Sequence, residues 1–257
     1  QISFGNVGGV ATVYVGSDSD PVDAIDDITP SAYEEANGSG SGTYVDIGGL
    51  ADEMGIGVKF DLPVLGAFNY KHYPKIDGAK NKDNTASAVT NAAVGSAYSA
   101  SLKTNLGDLP AVGGFLDGAV LTLGVGEEET STVTNTSDAT DATAALTFSA
   151  GQFSFGYQKK YADQGQTAAA TDALFYKDDV YGIAYAINDN LSISYNRYES
   201  QRHSVTATHN TQDTDAINIG YTVGGMTIGF QDASTDDANY TLNSKDDTRT
   251  LGVSVAF

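Results

Sequence analysis

Apolar residues recur at every second position over most of the chain. In "AINIGYTV" Ile217, Ile219, Tyr221 and Val223 share one face, and Asn218, Gly220 and Thr222 share the other. "MTIGFQ" sets Met226, Ile228 and Phe230 against Thr227, Gly229 and Gln231. "VYGIAYAI", "LSISYN", "ATAALTFSAGQFSFGYQ" and the final "TLGVSVAF" follow the same rule. A period of two is the signature of a β-strand with one apolar face. About twelve strands are predicted between Ile2 and Phe257. The punctuation between them is uneven. Tight turns at Pro63 to Gly66, Gly151-Gln152, Asp189-Asn190 and Gly224-Gly225 alternate with long polar stretches such as "EEETSTVTNTSDATD", "ADQGQTAAATD", "ESQRHSVTATHNTQD" and "DASTDDANYTLNSKDD". Short turns at one rim and long loops at the other describe an antiparallel up-and-down meander.

The chemistry of the second face separates two architectures. A soluble sandwich buries its apolar face and shows water a face rich in Lys, Glu and Thr. Here the non-apolar face is mostly Gly, Ala, Ser, Thr and Asn, which suits the wetted lumen of a transmembrane β-barrel with lipid against its apolar face. Tyr14, Tyr73, Tyr98, Tyr157, Tyr161, Tyr181, Tyr195, Tyr198 and Tyr221 lie near strand ends, as an interfacial aromatic girdle would require. An Arg at Ile219 is then expected to be costly, and an Arg at Asn218 much less so. The alternative is a secreted or surface acidic β-sandwich, adhesin-like, that binds a ligand without conducting.

Composition narrows the chemistry. The chain of 257 residues has no Cys, so thiolate metal sites, thiol nucleophiles and disulfides are excluded. Its formal charge of −20 argues against nucleic acid as a partner. No apolar run is long enough for a membrane helix, which leaves a barrel open. Three His and no nucleophile or phosphate-binding motif give no catalytic set, so no enzymatic activity is expected.

"ISFGNVGGVAT" followed by "DDITPSAYEEANGSG" resembles the strand and inward-folded constriction loop of Gram-negative general porins of the alphaproteobacterial type. "GIGVKFDLPVLGAFNY" and "GYTVGGMTIGF" are similar to later hairpins of that family, and "LGVSVAF" to its last strand. The resemblance implies one barrel domain over residues 1–257, with 16–53 as the constriction loop. It implies passage of small hydrophilic solutes and ions, outer-membrane lipid and lipopolysaccharide as surroundings, a homotrimer, and Phe257 as an assembly signal. In that family the loop follows the fifth of sixteen strands, so this chain reads as the last twelve, the alternative being a complete twelve-stranded barrel.

Residues Asp18 to Glu53 hold ten carboxylates and no Lys or Arg. Asp23, Asp26, Asp27, Glu34, Glu35 and Asp46 are the candidate pore constriction, where carboxylates over a narrow passage favour cations. Lys59, Lys71 and Lys103, in step with Gly57, Asn69 and Ser101, are candidates for a basic lumen wall. Arg197 shares the parity of Ile193 and Tyr195 and is expected at the outer rim. No resident cofactor is expected; the acidic stretches could hold Ca2+ but lack the spacing of a calcium loop.

Overall fold

The computed structural model describes the chain apart from residues 1, 8–10, 18, 38–43, 45, 51–52, 75, 77–95, 111–113, 130–137, 164, 166–174, 204–207 and 256–257, together with the side chains of 3–7 and 208–210. Among the described residues thirteen strands form one sheet: β1 (Ile2–Val7), β2 (Ala11–Gly16), β3 (Gly55–Leu62), β4 (Gly66–Tyr73), β5 (Ala97–Asn105), β6 (Ala119–Glu128), β7 (Ala139–Ala150), β8 (Phe153–Asp163), β9 (Phe175–Asn188), β10 (Leu191–His203), β11 (Thr208–Val223), β12 (Met226–Asp236) and β13 (Lys245–Val255). Each strand pairs antiparallel with its sequence neighbours, in the order β1 through β13. The additional strand comes from "ISFGNVGGVAT", which reverses direction so that Val7 pairs with Ala11.

The predicted turns join β3 to β4, β7 to β8, β9 to β10 and β11 to β12. Gly66 (φ 92°) closes the first of these, where a Cβ would lie 2.1 Å from the Lys103 carbonyl oxygen. Two of the predicted loops are shorter than expected, because β10 and β11 extend into "ESQRHSVTATHNTQD" and β12 and β13 into "DASTDDANYTLNSKDD". β13 runs from the long-loop rim towards the short-turn rim. Phe257 lies outside the described residues.

Burial is inverted relative to a water-soluble protein. Leu146, Phe153, Phe155, Ile183, Ile193, Ile217, Ile219, Leu251, Val253 and Val255 are exposed, whereas Gln158, Asn196, Gln212, Thr214, Asn218 and Gln231 are completely buried. The register makes the outward apolar row continuous: Phe153, Tyr185, Ile193, Ile219, Phe230 and Leu251 stand side by side from β8 to β13. Above this band the outer face changes to charge and hydroxyl. Tyr157 donates to Asp179 and Tyr195 to Asp215, each across to the neighbouring strand. Arg197 sits in the same tier, bonded to Glu199 at 2.7 Å and to Asp215 at 3.0 Å, as its parity predicts.

Three of the expected girdle tyrosines are elsewhere. Tyr14, Tyr73 and Tyr198 are buried on the inner face. They share parity with Thr12, Lys71 and Asn196, so each occupies the opposite face from the apolar band.

Candidate functional site: an acidic strap on the inner wall

The described residues between β2 and β3, from Ser17 to Met54, form a strap against the inner face of the sheet. Its outward leg is held mostly by side chains of the wall binding its main chain. The Val22 amide donates to Ser99 Oγ at 3.0 Å, and Gln158 Nε2 donates to the Ile25 carbonyl at 2.8 Å. Asn196 Nδ2 reaches the Pro30 carbonyl at 2.9 Å, and the Ala32 amide donates to Ser194 Oγ at 2.9 Å. Gln231 Nε2 ends the series on the Glu35 carbonyl at 2.8 Å. Tyr33 then lies flat over Gly229 and Gly252 of β12 and β13. The return leg buries Ala36 among Val180, Tyr198, Ala216 and Ala233, stacks Tyr44 edge-on to Tyr198, and packs Ile47 with Val22 and Ala162. The Gly48 amide donates to Asp141 at 2.8 Å, and Leu50 joins Tyr73, Ile76 and Ala97.

The small inner face expected to be wet is therefore largely covered, from β5 to β13, by this segment. The outward leg also lies directly behind the apolar band. Its glycine contacts alternate with band residues along the same strands: Gly156 between Phe155 and Tyr157, Gly182 between Tyr181 and Ile183, Gly220 between Ile219 and Tyr221.

The six predicted carboxylates do not form one ring. Asp23 is exposed in the short 3-10 turn Asp23–Ile25, Asp26 is half-buried, and Asp27 is exposed. Asp27 pairs with Lys160 Nζ at 2.9 Å. Asp46 comes back on the return leg to the electrostatic neighbourhood of Asp27 and Lys160. Glu34 and Glu35 lie further along, where Asn218 and Gln231 hold their main chain. Burial, with Asp27 adjacent, pushes the Asp26 carboxyl up to about 7 despite the opposing pull of Lys160. Burial also raises Glu35 and Asp46 above the usual carboxylate range.

The three predicted lysines divide into two kinds. Lys71 is fully buried and ties the strap's two ends together, its Nζ donating to the Ser19 carbonyl at 2.7 Å and the Glu53 carbonyl at 3.3 Å. It is an anchor and does not face an open passage. Lys59 and Lys103 are exposed and line a cavity of about 580 Å³ with Thr12, Asn69, Ser101 and the strap's Ile25. Lys160, the cation nearest the acidic group, was not foreseen. Its parity with Ser154, Gly156 and Gln158 in "FSFGYQKKY" marks it as inward. Asp178, buried beside it, accepts from Tyr198 at 2.9 Å. Among the described residues no three carboxylate or imidazole groups converge closely enough to hold a metal ion.

No protein-family model and no curated protein sequence matches the chain. Similarity appears at the level of structure. OmpT, an outer membrane protein of Vibrio cholerae, superposes with a TM-score of 0.59 at 9% identity, over 95% of this chain and 74% of that one. A porin superposes with a TM-score of 0.58 at 13% identity, over 96% of this chain and 77% of its own. The fold is that of an outer-membrane β-barrel. At such identities the likeness concerns the fold alone, and the porin-like architecture agrees with the exposed apolar band and the inner strap.

Proposed function

We propose that the chain forms a passive, water-filled channel for small hydrophilic solutes in an outer membrane, and that it prefers cations. One observation carries the reading: polar residues are buried and apolar ones exposed, with an acidic strap laid across the interior at the height of the apolar band. A carboxylate-bearing segment inside a low-dielectric wall acts over a short distance and is screened less than on an open surface. Asp23, Asp26, Asp27 and Asp46 supply the negative side, while Lys59 and Lys103 of β3 and β5 supply a positive side across the cavity that Ile25 also lines. Passive diffusion through such a passage needs no group-transfer chemistry. The sandwich alternative would require the apolar face to be the buried one, opposite to what is observed.

The test is the reversal potential of purified protein in planar bilayers under a tenfold KCl gradient. Neutralising Asp23, Asp26, Glu34 and Glu35 to Asn or Gln leaves the Asp27–Lys160 pair in place. It should move the reversal potential towards anion permeation, by an amount that shrinks as salt rises. Absence of conductance steps in the unmodified protein would refute the channel reading. An unchanged potential would remove the strap from the selectivity mechanism.

A further inference from the structure

Glycine in the middle of a strand is unfavourable, because it forfeits side-chain packing and costs backbone entropy. Positive φ explains Gly66, Gly151, Gly224 and Gly225, but not the glycines beneath the strap. A Cβ would come within 2.7 Å of Ile25 Cδ1 at Gly124, 2.4 Å of Pro30 Cδ at Gly156 and 2.6 Å of the Pro30 carbonyl oxygen at Gly182. At Gly220 it would come within 2.2 Å of the Ala32 carbonyl oxygen, and at Gly229 and Gly252 within 2.0 Å of Tyr33. These six positions lie on six strands, from β6 to β13, in the path of a single leg. Wall amides and hydroxyls interspersed with them, on Gln158, Ser194, Asn196, Asn218 and Gln231, bind the main chain of that leg. The strap is therefore drawn to the wall by hydrogen bonds, and the absence of side chains at these glycines lets it come that close.

We infer that this glycine track sets the bore of the pore, and so the size of solute admitted, by fixing how far the strap stands off the wall. The inference rests on the channel reading above. A methyl group at Gly220 obliges the Ala32 carbonyl to retreat by about 1 Å to reach ordinary contact, and a retreat away from the wall is a move into the lumen. The two kinds of contact behave differently. At Gly229 and Gly252 the obstacle is a side chain, which truncation of Tyr33 removes. At Gly220 it is main chain, which no truncation removes.

The experiment compares wild type, Gly220→Ala and Gly229→Ala, each alone and with Tyr33→Ala. Single-channel conductance and the cut-off for polyethylene glycols of graded size are measured on protein whose folding is verified by heat-modifiable gel mobility. Gly220→Ala should lower conductance by at least about 1.5-fold and admit only smaller polymers, in both backgrounds. Gly229→Ala should do the same alone and have no effect once Tyr33 is Ala. If Gly220→Ala does not fold, the Gly229 and Tyr33 pair decides. Wild-type conductance and cut-off in the single variants, or a Gly229→Ala effect that survives Tyr33→Ala, would overturn the inference. A wild-type protein that conducts nothing would instead fail the channel reading.

Discussion

Placing Arg at Ile219 tests the orientation on which the rest depends. Ile219 lies in the row Phe153, Tyr185, Ile193, Ile219, Phe230 and Leu251, with apolar neighbours on both sides, and is 40% exposed in the isolated chain. If lipid covers that exposed area, an Arg must either hold its charge in hydrocarbon or bend towards the charged tier at Asp215, four residues nearer the rim on the same face. For lipid-facing barrel positions this costs about 2–4 kcal/mol near the midplane. With a urea slope of about 2 kcal/mol/M, the unfolding midpoint in phospholipid vesicles should fall by about 1–2 M. The control cannot be Asn218→Arg, which the pattern alone presents as the mild neighbour. Asn218 is fully buried, accepts from the Glu34 amide and from Gln231, and donates to Asn196. A long cation there would overpack the strap's seat. Thr222→Arg is the proper control: its parity is inward, it is exposed near the short-turn rim, and its hydroxyl bonds only to Thr227 among the described contacts. It should change stability by less than about 0.5 kcal/mol, as surface substitutions do. Equal midpoints for the two Arg variants would refute the assignment of the apolar face to lipid.

Three further outcomes follow from the strap. Asp26 is held neutral below about pH 7 by burial and by Asp27; cation preference should therefore weaken as pH falls through 7, and Asp26→Asn should flatten the reversal-potential profile between about pH 6 and 8. Lys160→Met removes the cation that faces Asp27 and Asp46. It should loosen the strap by about 1.5–3 kcal/mol, as losing a charge-assisted hydrogen bond does when the carboxylate left behind can be hydrated, and be seen as faster proteolysis within residues 17–54. Lys71→Met removes two charge-assisted bonds to Ser19 and Glu53 and should cost about 1.5–3 kcal/mol of stability, with conductance changed less than by Gly220→Ala.

Alternation along the chain was enough to place Ile217, Ile219, Val253 and Val255 on one face, because a strand offers only two faces and the apolar band uses one throughout. Glycine pairs likewise marked the turn at Gly224-Gly225. The same signal in Gly8-Gly9 is weaker, because "ISFGNVGGVAT" alternates on both sides of it and reads as one strand. Tyr198 shows a different limit. Its proximity to a strand end suggested a girdle, yet its parity with Ser194 and Asn196 places it inside, so position along a strand is a weaker guide than face. What covers the small face was not legible at all. Gly220 reads the same beneath water as beneath a carbonyl group, and only the three-dimensional path of residues 17–54 distinguishes the two. Lys71 and Lys59 are equally inward by pattern, and the strap's return alone turns one into an anchor and leaves the other facing a cavity.

The spread of the strap's contacts over so many strands has a consequence for the order of folding. Its seat exists only where β5 through β13 stand side by side, and its nearest partners in space are up to 197 residues away in sequence. Such pairings are late, because closing long loops is costly until the intervening strands have formed. The chain must therefore build its wall before it can furnish its interior. A strand missing or slipped by one residue would turn a glycine or amide of the track away from the lumen. The strap would then lie undocked, exposed to protease, and its docking serves as an internal record that the wall has been laid down in register.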